Sequence, residues 1–181
     1  MKFTRQSISD VILIEPKIYG DNRGFFFESF NSEEFENAVG FSPNFVQDNH
    51  SKSTKNILRG LHYQLDPMSQ GKLVRVIKGK VYDVAVDLRS DSSTYGQWLG
   101  CTLSEENKKQ LWIPEGFAHG FYTLSNTAEF VYKTTNYYSP EYERCILWND
   151  KDLGINWGCY KAPKLSEKDL KGTTLKEAEV F

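Results

Sequence analysis

His50, His62 and His119 are the only imidazoles in a chain of 181 residues, so any acid–base or metal chemistry that uses histidine can be traced residue by residue. His62 lies in Leu58-Arg59-Gly60-Leu61-His62-Tyr63-Gln64. Strand alternation places Gly60, His62 and Gln64 on one face and Leu61 and Tyr63 on the other, which predicts that His62 faces a polar interior. His119 lies in Ile113-Pro114-Glu115-Gly116-Phe117-Ala118-His119-Gly120-Phe121, where Pro and Gly shape a turn that delivers the ring at the start of the next strand. It too is expected to face inward. Histidine's ordinary pKa, about 6.5, leaves a usable neutral fraction at neutral pH, which suits a general base. The plainer alternative for a lone histidine is a buried ring satisfied by the backbone. His50 has no comparable surroundings and reads as a structural or supporting residue.

Two inward histidines also suit a metal, since imidazole binds Zn, Fe, Cu and Ni. Against this, the position two after His62 is Gln64, a poor ligand where a second histidine would be needed. The stretch from Gln70 to Lys80 carries Lys72, Arg75, Lys78 and Lys80 and no carboxylate. Cations there repel a metal and favour an anion, so no metal and no cofactor are expected.

The elements that must position these residues are mostly strands. Aromatic residues form 14% of the chain and fall in short runs suited to pleated, half-buried surfaces. Predicted strands cover residues 11–14, 24–30, 45–51, 60–64, 73–77, 81–88, 97–103, 110–113, 120–124, 128–135 and 144–148. Lys78-Gly79-Lys80 breaks the period-two pattern between two of them and predicts a tight hairpin. Two short helices are predicted. One has Asn31 and Glu34 at capping-box spacing and ends at Gly40; the other covers 165–170, with Ser166 as cap and Gly172 as stop. Many short strands with Gly/Pro turns point to an all-β sandwich or jelly-roll barrel with a few short helices.

Length and composition bound the rest. One domain over residues 1–181 is expected, with one well-buried core. Twenty-two basic against 24 acidic residues leave a net charge of -2, so no positive field would hold nucleic acid or an anionic membrane. Three widely spaced cysteines, Cys101, Cys145 and Cys159, suit neither a disulfide framework nor a zinc site. The N-terminus lacks a signal-peptide core, and no apolar run approaches a membrane span, so a cytoplasmic protein is expected.

Longer motifs then come into register: Leu58 to Gln64, Gln70-Gly71-Lys72-Leu73-Val74-Arg75, residues 83–89, 112–121, 136–140 and 165–169. With Gly20-Asp21-Asn22-Arg23-Gly24-Phe25-Phe26-Phe27-Glu28 and Phe45-Val46-Gln47-Asp48-Asn49-His50, the chain resembles the dTDP-4-dehydrorhamnose 3,5-epimerases from about residue 11 to 169. Its 156–160 segment departs from the pattern, lacking a Trp-Pro step. The resemblance implies a cupin-type jelly roll working as a homodimer, with an N-terminal strand exchanged so that each site borrows residues from its neighbour. By motif, His62 matches the proton acceptor, Asp169 the carboxylate that orients it, Tyr132 the proton donor and Lys72 the enolate stabiliser. Arg23, Arg59 and Lys168 match diphosphate contacts, and Glu28, Gln47 and Asn49 match nucleotide and sugar contacts. His119 and Glu143 fall on ligand positions, and Tyr138 matches the residue stacked on thymine.

The implied activity inverts C3 and C5 of dTDP-4-dehydro-6-deoxy-D-glucose, giving dTDP-4-dehydro-L-rhamnose. A C4 ketone acidifies both flanking carbons through one enolate, so no redox cofactor is required. Inversion needs proton removal on one face and return on the other. Rival readings are an epimerase inverting one carbon of a related nucleotide-4-ketosugar, a non-catalytic sugar-nucleotide-binding cupin, and a metal-dependent cupin.

Overall fold

Alternating side chains in the longer strands build the core. In the computed structural model, which describes residues 1–159 and 161–181, Val81, Ala85, Phe117, Phe121, Val74, Val76 and Phe130 form one buried cluster. Val84, Val86, Ala118, Tyr122, Leu61 and Tyr63 form a second. Neighbours along one strand thus enter different clusters, as a pleated strand buried on both faces requires.

The strands are β1 (Lys2–Arg5), β2 (Ile12–Glu15), β3 (Tyr19–Asp21), β4 (Gly24–Phe26), β5 (Gln47–Thr54), β6 (Leu58–Gln64) and β7 (Lys72–Lys78). They continue with β8 (Lys80–Asp87), β9 (Trp98–Ser104), β10 (Gln110–Ile113), β11 (Phe117–Thr123), β12 (Thr127–Thr134) and β13 (Glu143–Cys145). A six-stranded sheet has the order β1-β2-β10-β7-β12-β5, and a five-stranded sheet the order β13-β6-β11-β8-β9. All their pairings are antiparallel. The sheets face each other across the first cluster, giving the all-β jelly-roll sandwich that the strand pattern predicts. The second cluster covers the outer face of the five-stranded sheet with Ile146, Leu153 and Trp157. A third sets Phe35 against Ile12, Ile14, Leu73 and Trp112 on the outer face of the other sheet.

Phe35 belongs to α1 (Ser32–Val39), where the Asn31 side chain accepts from the Glu34 N–H and Gly40 closes the helix at φ 90°. The second predicted helix is α2 (Glu167–Leu170), with Ser166 and Asp169 forming a reciprocal capping box. Tyr160, at the end of the 156–160 departure, lies outside the described residues.

Several local expectations need correction. Lys78-Gly79-Lys80 is not a hairpin, because β7 and β8 belong to different sheets. Gly79 does adopt a positive φ of 75°, but the turn is a corner that carries the chain from one sheet to the other. A strand–Gly–strand pattern reports the bend and not the partner, and here β7 pairs with β10 and β12 while β8 pairs with β9 and β11. The strand predicted for 24–30 stops at Phe26, since the chain then turns into α1 and the Ser29 carbonyl accepts from the Gln110 side chain. Residues 146–148 leave the sheet beyond Cys145. Two short strands, β1 and β3, were not predicted.

A Cβ at Gly79 would sit 2.0 Å from the Thr127 carbonyl oxygen. Gly79→Ala is therefore expected to cost at least about 1–3 kcal/mol from the left-handed backbone alone. Urea unfolding of the variant beside the parent chain measures it.

Candidate active site

At one end of the sandwich the apolar interior gives way to polar side chains. A cavity of about 280 Å³ is lined there by His62, Lys72, His119, Tyr132, Glu143 and Asp169, with Arg59 and Lys168 also at its wall. The two sheets supply opposite walls: β6 and β11 carry His62 and His119, whereas β7 and β12 carry Lys72 and Tyr132. Leu61 and Tyr63 belong to the cluster on the other side of this sheet while His62 lines the cavity, so the inward face predicted for His62 is the face observed.

Asp169 brings the C-terminal segment onto this strand. Its Oδ1 lies 2.8 Å from His62 Nε2 and accepts from the Gly60 N–H at 3.1 Å. Its Oδ2 accepts from the Ser166 N–H and hydroxyl at 3.0 and 2.6 Å. Glycine at position 60 lets β6 lie close against β11, since a Cβ there would meet the Gly120 backbone at 2.5 Å. Burial works to raise the Asp169 carboxyl, but hydrogen bonds from His62, Ser166 and Gly60 prevail and hold it far below the usual range. An ionised Asp169 accepts the Nε2 proton, which leaves the lone pair of a neutral His62 on Nδ1. That atom is buried without a hydrogen-bond partner among the described residues, with Glu143 Oε1 at 3.7 Å.

Lys72 is buried, and its ammonium donates to the His62 carbonyl at 3.2 Å. Desolvation pulls its pKa down to about 8, against the opposing pull of Glu143 and Asp83. Tyr132 is raised, mainly by desolvation and then by Glu143, so its phenol remains protonated at neutral pH. Glu143 accepts from Lys168 and, at 2.6 Å, from the Tyr138 hydroxyl. Burial opposes its ionisation, yet the bonds from Lys168 and Tyr138 hold its carboxyl below normal. Arg59 is braced by the Ser53 hydroxyl at 3.0 Å, leaving its charge beside the cavity.

The structure thus brings together eight of the residues singled out in the sequence: His62, Lys72, Tyr132, Asp169, Arg59, His119, Glu143 and Lys168. Tyr138 stands just outside, linked to Glu143 and with Lys168 5.8 Å from its ring centroid. Gln47 joins it by accepting from the Tyr138 N–H, and Asn49 accepts from Gln47. Arg23 and Glu28 do not reach this chain's own cavity. Arg23 is exposed and bonded to Asp21 beside β4, and Glu28 accepts from Asn31 before α1. His50 lies on the edge strand beside Glu129, at 3.3 Å.

Sequence reasoning missed Asp83 as a site residue. It is fully buried and its Oδ1 lies 2.8 Å from His119 Nε2. The available signal was an acidic residue on the inward side of the apolar run Val81-Tyr82-Asp83-Val84-Ala85. Cys145 was passed over as well: it is the register partner of His62, and its sulfur lies within 4.8 Å of the ligand-type atoms of His62 and Asp169. Those two atoms already bond each other, and burial pushes the thiol up to about 12.

An imidazole held by a carboxylate and faced by a phenol from the opposite sheet defines the class as a cupin-type acid–base isomerase. The family model for dTDP-4-dehydrorhamnose 3,5-epimerase matches residues 5–177. The dTDP-4-dehydrorhamnose 3,5-epimerase of Pseudomonas aeruginosa is 59% identical over 181 residues, covering 100% of this chain and 99% of that one. A Legionella pneumophila dTDP-6-deoxy-D-glucose-3,5-epimerase, solved with dTDP-4-keto-L-rhamnose, superposes with a TM-score of 0.95 at 51% identity, over 98% of this chain and 94% of that one. A 3'-monoepimerase from Streptomyces bikiniensis, solved with dTDP-quinovose, gives 0.90 at 33% identity, over 94% and 86% of the two chains. The chain belongs to the dTDP-4-dehydrorhamnose 3,5-epimerase family.

Lys72 sets activity and stability against each other as pH rises. The folded state lowers its pKa from 10.5 to about 8, so the unfolded chain binds more protons between those values and stability from this group increases across that window. The burden of the buried ammonium below pH 8 is roughly 3 kcal/mol. Lys72→Met is expected to be more stable than the parent at pH 7, with the gap closing towards pH 10.5. Denaturant titrations at both pH values check it.

Proposed function

We propose that this chain inverts C3 and C5 of dTDP-4-dehydro-6-deoxy-D-glucose, forming dTDP-4-dehydro-L-rhamnose for dTDP-rhamnose biosynthesis. The observation that carries this reading is the His62–Asp169 pair on one wall of the cavity, with Tyr132 and Lys72 on the other.

His62 Nδ1 removes the hydrogen next to the ketone, and the imidazolium so formed is stabilised by ionised Asp169 through Nε2–H. The electron pair moves into the ring bond and on to the C4 oxygen, beside which the Lys72 ammonium supports the enolate. One such oxyanion donor is typically worth about 3 kcal/mol. Tyr132 returns a proton from the opposite face, which inverts the carbon; His62 then gives its proton to solvent, Tyr132 takes one from solvent, and the second flanking carbon follows by the same route. Arg59 and Lys168 are suited to the diphosphate, and Tyr138 offers an exposed ring to the base.

We further propose a homodimer in which an N-terminal segment is exchanged. Phe25 and Phe26 are 61% and 67% exposed on the β3–β4 hairpin, and Arg23 and Glu28 stand away from their own cavity. A partner's cavity would give all four residues a role. The chain is expected to sediment at about twice its 20.9 kDa mass, and Phe26→Glu to shift it towards monomer. No helix among the described residues is long and apolar enough to cross a membrane, which fits the cytoplasmic location proposed for an enzyme of soluble nucleotide sugars.

The single-carbon alternative stays open because a 3'-monoepimerase superposes on this chain with a TM-score of 0.90. Incubation with the 4-keto-6-deoxyglucose nucleotide in D2O, read by proton NMR, decides it. Deuterium at both C3 and C5 is expected; one site marks a monoepimerase, and none overturns the reading. His62→Ala and Tyr132→Phe are each expected to lower turnover by about 10² or more with nucleotide affinity retained.

A further inference from the structure

The reaction above uses Lys72, and His119 lines the same cavity, but it gives no reason for the carboxylate buried behind them. Asp83 projects from β8 into the space between the sheets, where its strand neighbours on that face, Val81 and Ala85, belong to the apolar core. One oxygen lies 2.8 Å from His119 Nε2, and the other, Oδ2, is buried without a partner among the described residues. Removing a carboxylate from water costs several kcal/mol, and an apolar side chain of similar size would serve packing better. Core packing therefore does not account for it.

Three titratable groups face Asp83. His119 comes from β11 in the same sheet, Cys101 is its register partner on β9, and the charge of Lys72, on β7 in the opposite sheet, acts on it. Burial keeps the Cys101 thiol protonated, so the charge balance rests on Asp83, His119 and Lys72, with Glu143 acting on Lys72 from the cavity side. Burial raises the Asp83 carboxyl, and His119 and Lys72 act against that rise. A carboxylate accepting from Nε2–H fixes the neutral tautomer of His119. It leaves Nδ1 as the ring's free polar atom at the cavity wall.

We propose that Asp83 is a positioning residue for the epimerisation: it fixes the tautomer and ring orientation of His119, and it supplies the countercharge that keeps Lys72 an ammonium beside the reacting carbonyl. It touches no substrate and acts through two residues that do. The two effects separate by substitution. Asp83→Asn keeps an oxygen that can accept from His119 but loses the charge, whereas Asp83→Leu loses both.

The inference rests on the epimerase reading, so the parent chain must first show deuterium exchange in D2O; its absence would remove that reading and not speak to Asp83. With exchange established, Asp83→Asn is expected to lower kcat about tenfold or more with KM within about twofold. Its alkaline limb should move to lower pH by about one unit or more, as loss of an opposite charge that acts on an ammonium requires. Asp83→Leu should fall further and also raise KM. A readout independent of turnover is the titration of Lys72 by NMR on lysine-labelled protein, its signal assigned by loss in Lys72→Met. The midpoint should fall in Asp83→Asn and the fold should persist. An unmoved Lys72 midpoint, or parent-like kcat and pH profile in Asp83→Asn, would overturn the proposal.

Discussion

The Asp169 carboxylate ties the C-terminal segment to β6, accepting from Gly60 and His62 on that strand while capping the turn at Ser166. One anion thus orients the imidazole, satisfies a strand N–H and starts a helix. The surrounding segment is shaped to deliver it: Lys164 exchanges backbone hydrogen bonds with Asn56 and Leu58, and Thr173 does so with Cys145 and Leu147. Shared obligations of this kind make a carboxylate hard to replace. An amide would keep the shape but would lose the charge that an imidazolium needs across from it.

Ionic groups between two sheets must balance one another because water is largely excluded there. Lys72, Asp83, His119, Glu143 and Asp169 occupy one end of the sandwich, where the stacked pair Phe121 and Phe130, at 4.4 Å between ring centroids, forms an apolar wall of the cavity, and aliphatic residues of the core cluster fill the space beyond. The apolar core supplies the burial that offsets desolvation at the polar end. In return the low dielectric strengthens each charge that faces the cavity.

Much of this was legible in the residues themselves. Alternation around His62 gave its orientation because a strand's period of two is rigid, and the short aromatic runs gave the all-β class. The corner at Gly79 was misread, since positive φ is local information whereas strand partnership depends on residues tens of positions away. Asp83 was overlooked because its meaning comes from His119 and Lys72, which only the closed sandwich sets beside it. Arg23 and Glu28 carry motif matches, yet the chain's own geometry sets them outside the cavity that holds His62, which a pattern of residue types does not disclose.

The His62–Asp169 hydrogen bond spans 107 positions of sequence. A chain under synthesis therefore makes its imidazole long before the anion that will hold it, and the sandwich can assemble while the ring still lacks its partner. Docking of the segment around Ser166 is what fixes the ring. Without that partner the ring would be free to turn, so its orientation belongs to the finished chain and not to the strand that carries it.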